Sequence, residues 1–462
     1  MRSFWMRQAL QAESGEQGCP ALKGNGEAEV LIVGGGFTGL WTAIELKERS
    51  PNLDVMVIER DICGAGASGS NGGVALALWP HGPKFAAMYG EDVAANVCRI
   101  GDEMIDGIRR FSELNGIDSE VSKPGLIWGA TCDRQAGFWA GVVEFSRRYD
   151  HTRYKLLSGT EIENEVGSHV YVAGAVDTKA VFLHPGKLVR GLRRIALERG
   201  VRIHENTAMV SLARSVPPRV KTLGGTITAK KVVLATYAWS IGLPELRSSV
   251  MVIGSDAVVT QPVEGPLQRI KWNGYAGITD SRNFVRSTRR VGGDRVMLCR
   301  GGTWIPFGAE IDKWVRKGSG KSVQELKYIL GEFYPELAEA PIDTAWSCPI
   351  DRSMSGIPMF GSLPTCKDIF YGFGYSGAGL VLTQIGGKIL SSLVLNSDDR
   401  WSRMPFVRSL ERSFPPEPFR YVGAHLVAQA IERKDKLDHL GRATGPITNY
   451  FLKFRPGSYK PT

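Results

Sequence analysis

The 462-residue sequence predicts an α/β protein built on a parallel sheet, and three patterns carry that prediction. The stretch "VLIVGGGFTGLWTAIEL" (30–46) joins an apolar run to a glycine turn and a helical pattern. The acid-ended apolar run "DVMVIERD" (54–61) follows, which completes a βαβ unit. Strand, glycine turn and helix then recur in "DIFYGFGYSGAGLVLTQIGGKILSSLVL" (368–395).

The first glycine turn has the spacing of a dinucleotide cradle. Gly34 permits a tight turn, Gly36 lets the backbone approach a pyrophosphate, and Gly39 lets the helix pack close to the strand. The helix that begins at Phe37 and Thr38 offers unpaired N–H groups and its positive dipole end to phosphates. A tight turn without any ligand is the alternative that this motif alone leaves open.

Two later features narrow the choice of dinucleotide cofactor. Glu59 closes the second strand, where a carboxylate meets ribose hydroxyls and repels a 2′-phosphate, so NAD or FAD fits better than NADP. The segment "CGAGASGSNGG" (63–73) comes where an NAD domain would enter its next helix. Its glycines suit a long cofactor in extended form, which favours FAD. The helix after the last glycine turn (374–379) is placed to stabilise negative charge on the flavin N1–C2=O edge.

The amino-acid composition argues against several other classes of protein. Seven cysteines without a C-x-x-C pair argue against a disulfide framework and a zinc site, so we expect no metal. The net charge of +10 fits solubility, a polyanionic small ligand or nucleic acid, but no nucleic-acid motif occurs, and we expect no such partner. No apolar run reaches spanning length and no signal-peptide pattern begins the chain, which predicts a cytoplasmic protein without membrane contact.

The ordered motifs resemble the D-amino-acid-oxidase-like superfamily of FAD-dependent amine oxidoreductases, which includes glycine oxidase and sarcosine oxidase. The chain is more similar to the glutamylputrescine oxidase group and most similar to a group assigned as aminophosphonate oxidoreductases. The similarity extends over nearly the whole chain, in "RSFW", "FTGLWTAI", "CGAGASG", "DRSMSGIPMFG", "YGFGYSG" and "FPPEPFRYVG". It implies an FAD enzyme that oxidises a C–N bond.

The resemblance implies an α/β fold with a discontinuous Rossmann-like FAD-binding domain and an α+β substrate domain with a large mixed sheet. We assign to the first domain residues 28–100, 185–245 and 345–398. We assign to the second residues 101–184 and 246–344. An N-terminal arm (1–27), whose "FW" pair is placed to dock on the body, and a C-terminal tail (399–462) flank them. The tail holds a basic amphipathic helix, expected to pack on the body, with membrane-surface contact as the alternative.

Motif and resemblance together give the expected FAD contacts. These residues are Gly34, Gly36, Phe37, Thr38, Gly39, Glu59, Arg60, Gly66, Ala67, Ser68, Asn71, Gly72, Gly73, Met209, Ala235, Trp239, Cys348, Gly374, Ser376, Gly377, Gly379 and Leu380. Met209 falls where the family holds the adenine through backbone atoms. Cys348 has the offset of the flavin-linking cysteine of sarcosine oxidase, with an inert buried thiol as the alternative.

The expected reaction passes a hydride from the α-carbon of a neutral amine to flavin N5, and the imine then hydrolyses. Arg300 and Arg352 are candidates for holding an anionic substrate group, and His81 for facing the substrate. A structural role is the alternative for each.

The chain departs from the family pattern where Ser70 replaces an arginine and Tyr237 a glycine. The two lysines of sarcosine oxidase have no counterpart, because Val381 and Arg300 stand there. The sequence is therefore compatible with either O2 or another molecule as the electron acceptor. The alternative hypothesis is a flavin-binding protein without turnover of its own.

Overall fold

A computed structural model describes residues 2–13, 18–272, 277–317 and 320–457. Within them, helices alternate with strands that form two eight-stranded sheets and a small two-stranded one. The predicted α/β fold class is thereby confirmed.

The strands are numbered in chain order. They are β1 (Gly26–Val33), β2 (Val55–Ile58), β3 (Val74–Ala75), β4 (Leu126–Ala130), β5 (Tyr154–Ser158), β6 (Ala173–Asp177), β7 (Val181–Phe182), β8 (Arg202–His204), β9 (Met209–Ala213), β10 (Arg219–Thr222), β11 (Thr226–Leu234), β12 (Met251–Thr260), β13 (Gly277–Asp280), β14 (Arg286–Val291), β15 (Arg295–Gly301), β16 (Ile342–Arg352), β17 (Met359–Leu363) and β18 (Cys366–Phe373).

The α-helices are numbered in the same way. They are α1 (Phe4–Ala12), α2 (Phe37–Arg49), α3 (Gly82–Tyr89), α4 (Glu91–Leu114), α5 (Ala140–Arg147), α6 (Gly159–Val166), α7 (Pro185–Glu198), α8 (Glu264–Ile270), α9 (Ile311–Lys317), α10 (Gly320–Phe333), α11 (Gly379–Val394), α12 (Phe419–His439) and α13 (Pro446–Leu452).

The first sheet has the order β17-β18-β11-β1-β2-β8, and β9 and β10 extend it from β11. Strands β18, β11, β1, β2 and β8 run parallel. Helices α2 and α11 follow two of these strands and cross closely, since a Cβ at Gly387 would lie 2.6 Å from Cβ of Trp41. Both helices therefore begin at the carboxyl edge of the sheet, where ligands of open α/β sheets bind.

The second sheet has the order β16-β12-β15-β14-β13-β4-β6-β5. It is mixed, because β13 pairs parallel with β4 while its other pairs are antiparallel. Strand β16 belongs to it through a long pairing with β12 that reaches Val252 opposite Asp351. The predicted FAD segment 345–398 thus begins inside a strand of the second sheet. Local sequence patterns do not reveal this pairing, because β12 and β16 are about ninety residues apart in the chain.

The expected N-terminal arm contains a helix. Ser3 caps α1 by accepting a hydrogen bond from the Met6 N–H at 3.1 Å. Phe4 and Trp5 are only 1% and 2% exposed, so this pair is docked on the body. The helix packs against α7, and Arg7 forms an ion pair with Asp343 at the start of β16.

The expected tail helix is α12, which buries Val427, Ala430 and Ile431. The Asp435 carboxylate accepts hydrogen bonds from the side chain and backbone of Asn283, which ties the helix to the loop after β13. Among the described residues, no helix has both the length and the apolar character needed to cross a bilayer.

Candidate cofactor and active site

The first glycine turn leaves no room for side chains. A Cβ at Gly39 would lie 1.9 Å from the carbonyl oxygen of Gly34, and one at Gly34 would lie 2.4 Å from that of Ala235. Gly34 also has φ of +117°, which side chains rarely adopt. The strand, the turn and α2 are therefore packed backbone to backbone, and Ala235 lies against the turn as part of its wall.

The start of α2 faces the glycine-rich loop. Gly36 is the N-cap residue and offers no side-chain cap, while the Phe37 N–H donates to Oγ of Ser68 at 2.8 Å. The Thr38 hydroxyl bonds that of Tyr375 at 2.7 Å. The first and last glycine turns, distant in sequence, are thereby joined at one edge of the sheet.

Glu59 lies beside the turn at the carboxyl end of β2. Its carboxylate accepts hydrogen bonds from the N–H of Gly35 at 2.8 Å and of Asp61 at 3.0 Å. Burial raises the pKa of this carboxyl, and the two backbone N–H groups oppose that rise. The acid is thus held at the position where the sequence predicts a ribose contact.

The loop 63–73 is ordered by its own side chains. It contains one 3₁₀ turn, Ala67–Gly69, and the Asn71 amide donates to the carbonyls of Ala67 and Ser68 at 3.0 and 2.9 Å. The Asn71 side-chain oxygen accepts from the Gly73 N–H at 2.8 Å. In this structure Asn71 shapes the loop, rather than pointing away from it towards a ligand.

Arg289 clamps the same loop from β14, and sequence reasoning missed it. Its guanidinium donates to the carbonyls of Gly72 at 2.8 Å and Gly73 at 3.1 Å, and it lies 4.6 Å from the Phe182 ring centroid. Burial lowers its pKa to about 10, which keeps it charged at neutral pH. No local signal marks this residue, because the loop lies more than two hundred positions away.

Two expected FAD contacts, Arg60 and Trp239, bind each other. The Arg60 guanidinium lies 4.1 Å from the Trp239 ring centroid, and both side chains contact Asp312 of α9, at 2.7 and 2.9 Å. A Cβ at Gly66 would lie 3.6 Å from the Trp239 ring. These three side chains form a bridge across the loop, and Gly66 lies directly beneath its indole.

The last glycine turn has three residues in the left-handed region: Gly374 with φ of +85°, Ser376 with +55° and Gly377 with +99°. The Asp351 carboxylate, in β16, accepts hydrogen bonds from the N–H groups of Gly374 and Ser376. Helix α11 begins at Gly379 without a side-chain cap, so its first N–H groups remain available to a ligand. Leu380, in the same turn of helix, is buried in the core beside α2.

Arg352 and His81, two of the predicted substrate-binding residues, lie near each other and form one candidate site. Arg352 is half-buried, and among the described residues its Nε is buried without a hydrogen-bond partner and its guanidinium forms no ion pair. The pKa of His81 falls to about 4, chiefly through burial and then through the charges of Lys84 and Arg352. Burial also lowers the pKa of Lys84 to about 8. The site therefore offers cations beside a neutral imidazole.

Arg300 lies elsewhere. Residues alternate across β15, so Met297 faces the loop 63–73, with its methyl 3.9 Å from a Cβ built on Gly72, and Arg300 faces the opposite side. There Arg300 forms ion pairs with Glu325 and with Glu432 of α12, the latter at 3.4 Å. Both faces of β15 are apolar, which is why the sequence did not reveal the side that Arg300 occupies.

The remaining candidates are Cys348 and Met209. Cys348 shares a face of β16 with Arg352, and burial raises the pKa of its thiol to about 11, so the reactive thiolate is disfavoured. Its environment resembles that of an inert buried thiol. Met209 begins β9 at the edge of the first sheet and is half-buried against that sheet's core.

These features fit FAD on structural grounds. Backbone at Gly34 and Gly39 excludes side chains. The N-termini of α2 and α11 meet at the sheet edge, neither has a capping side chain at its own N-cap residue, and Glu59 lies beside that of α2. Anionic phosphates and an electron-rich flavin edge are the ligands that such N-termini favour. Within the described residues no group of acids, cysteines and histidines suits a metal ion.

Known proteins share this architecture. The chain is 29% identical over 379 residues to gamma-glutamylputrescine oxidoreductase of Escherichia coli K12, covering 81% of this chain and 85% of that one. It is 26% identical over 394 residues to a probable oxidoreductase OrdL of Haemophilus influenzae, covering 83% and 86%. The crystal structure of glycine oxidase from Geobacillus kaustophilus superposes with a TM-score of 0.68 at 20% identity, over 84% of this chain and all of that one.

The family description of FAD-dependent oxidoreductases matches residues 29–393, which include both glycine turns, the loop 63–73 and strand β16. The match covers most of the chain and agrees with the cradle and helix N-termini described above. The chain therefore belongs to the DAO family of FAD-dependent oxidoreductases, as an enzyme that uses FAD.

Proposed function

We propose that this enzyme oxidises the C–N bond of a small amine or amino acid that carries an anionic group, a carboxylate or a phosphonate. The observation that carries the proposal is the unpaired guanidinium of Arg352 among the described residues. It is a half-buried guanidinium without an ion pair in the described part of the chain, on the same face of β16 as Cys348 and next to the residue that contacts the last glycine turn. An arginine left unpaired in such a position suits a planar or tetrahedral oxyanion.

The names of the relatives support the same substrate class. Glycine and gamma-glutamylputrescine, which the names of two relatives give, each combine an amine with a carboxylate. A phosphonate offers a larger charge to the same site, where the charge of Arg352 helps to lower the pKa of Lys84.

The chain's own residues position the substrate and set its protonation. Arg352 binds the anionic group and so fixes the α-carbon, while neutral His81 avoids adding a third positive charge beside the amine. Most amines are protonated in water, and burial of the site favours the free base that reacts. Bound FAD supplies the acceptor, at flavin N5, for the hydride that leaves the α-carbon. The resulting imine takes up water and releases a carbonyl product and ammonia or an amine.

Anaerobic reduction tests the proposal. The FAD-loaded enzyme is mixed with amines, amino acids and aminophosphonates, and bleaching near 450 nm, the band typical of flavins, is followed with time. We expect reduction by at least one compound that has both an amine and an anionic group. Re-oxidation by air with peroxide release then identifies an oxidase, and slow re-oxidation identifies a dehydrogenase.

Two arginine variants give the matched comparison. Arg352→Gln is expected to lower the second-order rate constant of reduction about a hundredfold, because a buried charge-assisted contact is lost. Arg300→Gln, on the opposite face of the second sheet, is expected to leave that constant within about twofold. Equal effects of the two substitutions, or no reduction by any compound, would contradict the proposal.

A further inference from the structure

Asp351 holds the last glycine turn from outside that turn. Its carboxylate accepts hydrogen bonds from the N–H groups of Gly374 and, at 3.3 Å, of Ser376, and its backbone carbonyl accepts from Ser376 at 3.0 Å. The backbone N–H of Tyr375 also favours its charged form. One side chain therefore satisfies consecutive donors of the segment that joins β18 to α11.

This segment needs such support. Ser376 adopts φ of +55°, a conformation that is unfavourable for a non-glycine residue, and it lies between two glycines that are also left-handed. Helix α11 has no side-chain cap to fix its first turn. Besides the turn's own hydrogen bond from the Ser376 hydroxyl to the Gly374 carbonyl, contacts with Asp351 therefore stabilise its conformation.

Asp351 and the turn belong to different sheets. Asp351 is the penultimate residue of β16, paired with Val252 in the second sheet, whereas the turn follows β18 of the first sheet. Asp351 is fully buried, and the ionisable groups that influence it are Arg352 on its own strand, Tyr237 after β11 and Tyr375 in the turn. None of these forms a hydrogen-bonded ion pair with its carboxylate among the described residues.

We propose that Asp351 is a positioning residue that sets the turn Gly374–Gly377 against the flavin edge, and so makes FAD binding depend on the second sheet. The inference rests on the proposed placement of the flavin edge at this turn. An anchored turn presents the N-terminus of α11 in one direction, and an unanchored turn relaxes out of the left-handed region and turns those N–H groups away.

Asp351→Asn is the direct test. The asparagine side chain has the same size, but one carboxylate oxygen is replaced by an NH₂ group, which cannot accept a hydrogen bond. One of the two contacts with the N–H groups of Gly374 and Ser376 is therefore lost. We expect the FAD dissociation constant, measured by flavin fluorescence on the full chain, to rise about tenfold to a hundredfold. We also expect the visible flavin band of the loaded variant to change shape. Asp368→Asn, the same substitution at a half-buried residue of β18 that contacts neither the turn nor α1, is the control and is expected to change neither quantity.

A second variant separates positioning from general damage. Ser376→Gly removes the cost of the left-handed residue, so in the Asp351→Asn background it is expected to restore FAD affinity at least threefold and to move the flavin band back towards the wild-type shape. Wild-type FAD affinity and spectrum in Asp351→Asn would overturn the inference, as would the absence of any recovery in the double variant. Neither readout depends on a substrate, so both remain informative if no amine reduces the flavin.

Discussion

At the scale of single residues, the site is held by groups that act at a distance in sequence. Asp351 and Arg289 both reach glycine-rich segments from strands of the second sheet. Arg289 belongs to no quoted motif, Asp351 begins the segment "DRSMSGIPMFG" without a role assigned from it, and both make their contacts with backbone groups of their partners. Patterns within the glycine-rich segments reveal the cradle, but the side chains that fix its shape come from elsewhere.

The titration of Asp351 gives a prediction at this scale. Burial raises the pKa of its carboxyl to about 7, while an unfolded chain would give about 3.9, so the folded state binds this proton more tightly. The contribution of Asp351 to stability is therefore greatest below about pH 4 and falls by up to about 4 kcal/mol between about pH 4 and 7. Asp351→Asn lacks this loss, so its stability relative to wild type is expected to increase between about pH 4 and 7 and then level off.

Urea unfolding of the flavin-free wild type and Asp351→Asn at several pH values measures this difference directly. Flavin-free protein is used so that changes in FAD binding do not enter the comparison. A difference in unfolding free energy that stays constant across the range would show that Asp351 does not titrate there.

At the scale of elements, the crossing of α2 and α11 determines where their N-termini lie at the carboxyl edge of the first sheet. A Cβ at Gly387 would lie 2.9 Å from the backbone carbonyl carbon of Trp41 and 3.0 Å from the N of Thr42. These contacts are between backbones, so a side chain there must push the helices apart. Because α2 has 13 residues and α11 has 16, such a shift is expected to reach both helix N-termini.

Gly387→Ala is therefore expected to lower the free energy of unfolding by about 1–3 kcal/mol, although alanine is the better helix former. Gly423→Ala in α12 is the matched control, because a Cβ there meets nothing within 4 Å. That substitution is expected to stabilise the protein by about 0.5–1 kcal/mol. Thermal unfolding of both variants checks the opposite signs, and a stabilising Gly387→Ala would contradict the close crossing.

The sequence predicted those elements whose signal is local. The βαβ unit around Gly34 and the strand–turn–helix around Gly374 appear where expected, because an apolar strand, a glycine turn and a helical period lie next to one another in the chain. The pairing of β16, where the assigned FAD segment 345–398 begins, with β12 of the second sheet was not predicted, since the two strands are remote in sequence. The face of β15 that carries Arg300 was unreadable because apolar residues line both faces.

At the scale of the whole molecule, α1 joins three separate parts. Trp5 packs with Met297 and Trp346 of the second sheet, and its ring contacts His184 at the start of α7. Met6 lies under the loop 63–73, where a Cβ at Gly69 would meet its sulfur at 2.4 Å. The N-terminal segment therefore belongs to the structural support of the site, even though it lies outside the matched family region.

Substitution of Trp5 tests that support. Trp5→Ala is expected to cost about 3–5 kcal/mol of unfolding free energy and to weaken FAD retention, because the indole also lies against Arg289, which clamps the loop. Trp5→Phe is expected to cost less, since the buried indole N–H has no hydrogen-bond partner among the described residues and the substitution breaks no such bond. Urea unfolding and gel filtration of the FAD-loaded protein measure both effects. Equal stability of Trp5→Ala and wild type would contradict the assignment.

The pairing order of the first sheet also governs when the enzyme matures during synthesis. Strand β1 leaves the ribosome early, but its neighbour β11 ends at Leu234 and β18 only at Phe373. At about 5–20 residues per second, the nascent chain waits on the order of 20–70 s between β1 and β18. Until β16 has been synthesised, Phe4 and Trp5 lack part of the apolar surface that covers them, which includes Trp346. Molecular chaperones that bind exposed apolar segments therefore have an opportunity to bind Phe4 and Trp5 during synthesis, and the expected flavin site is complete only after the last glycine turn and α11 have been added.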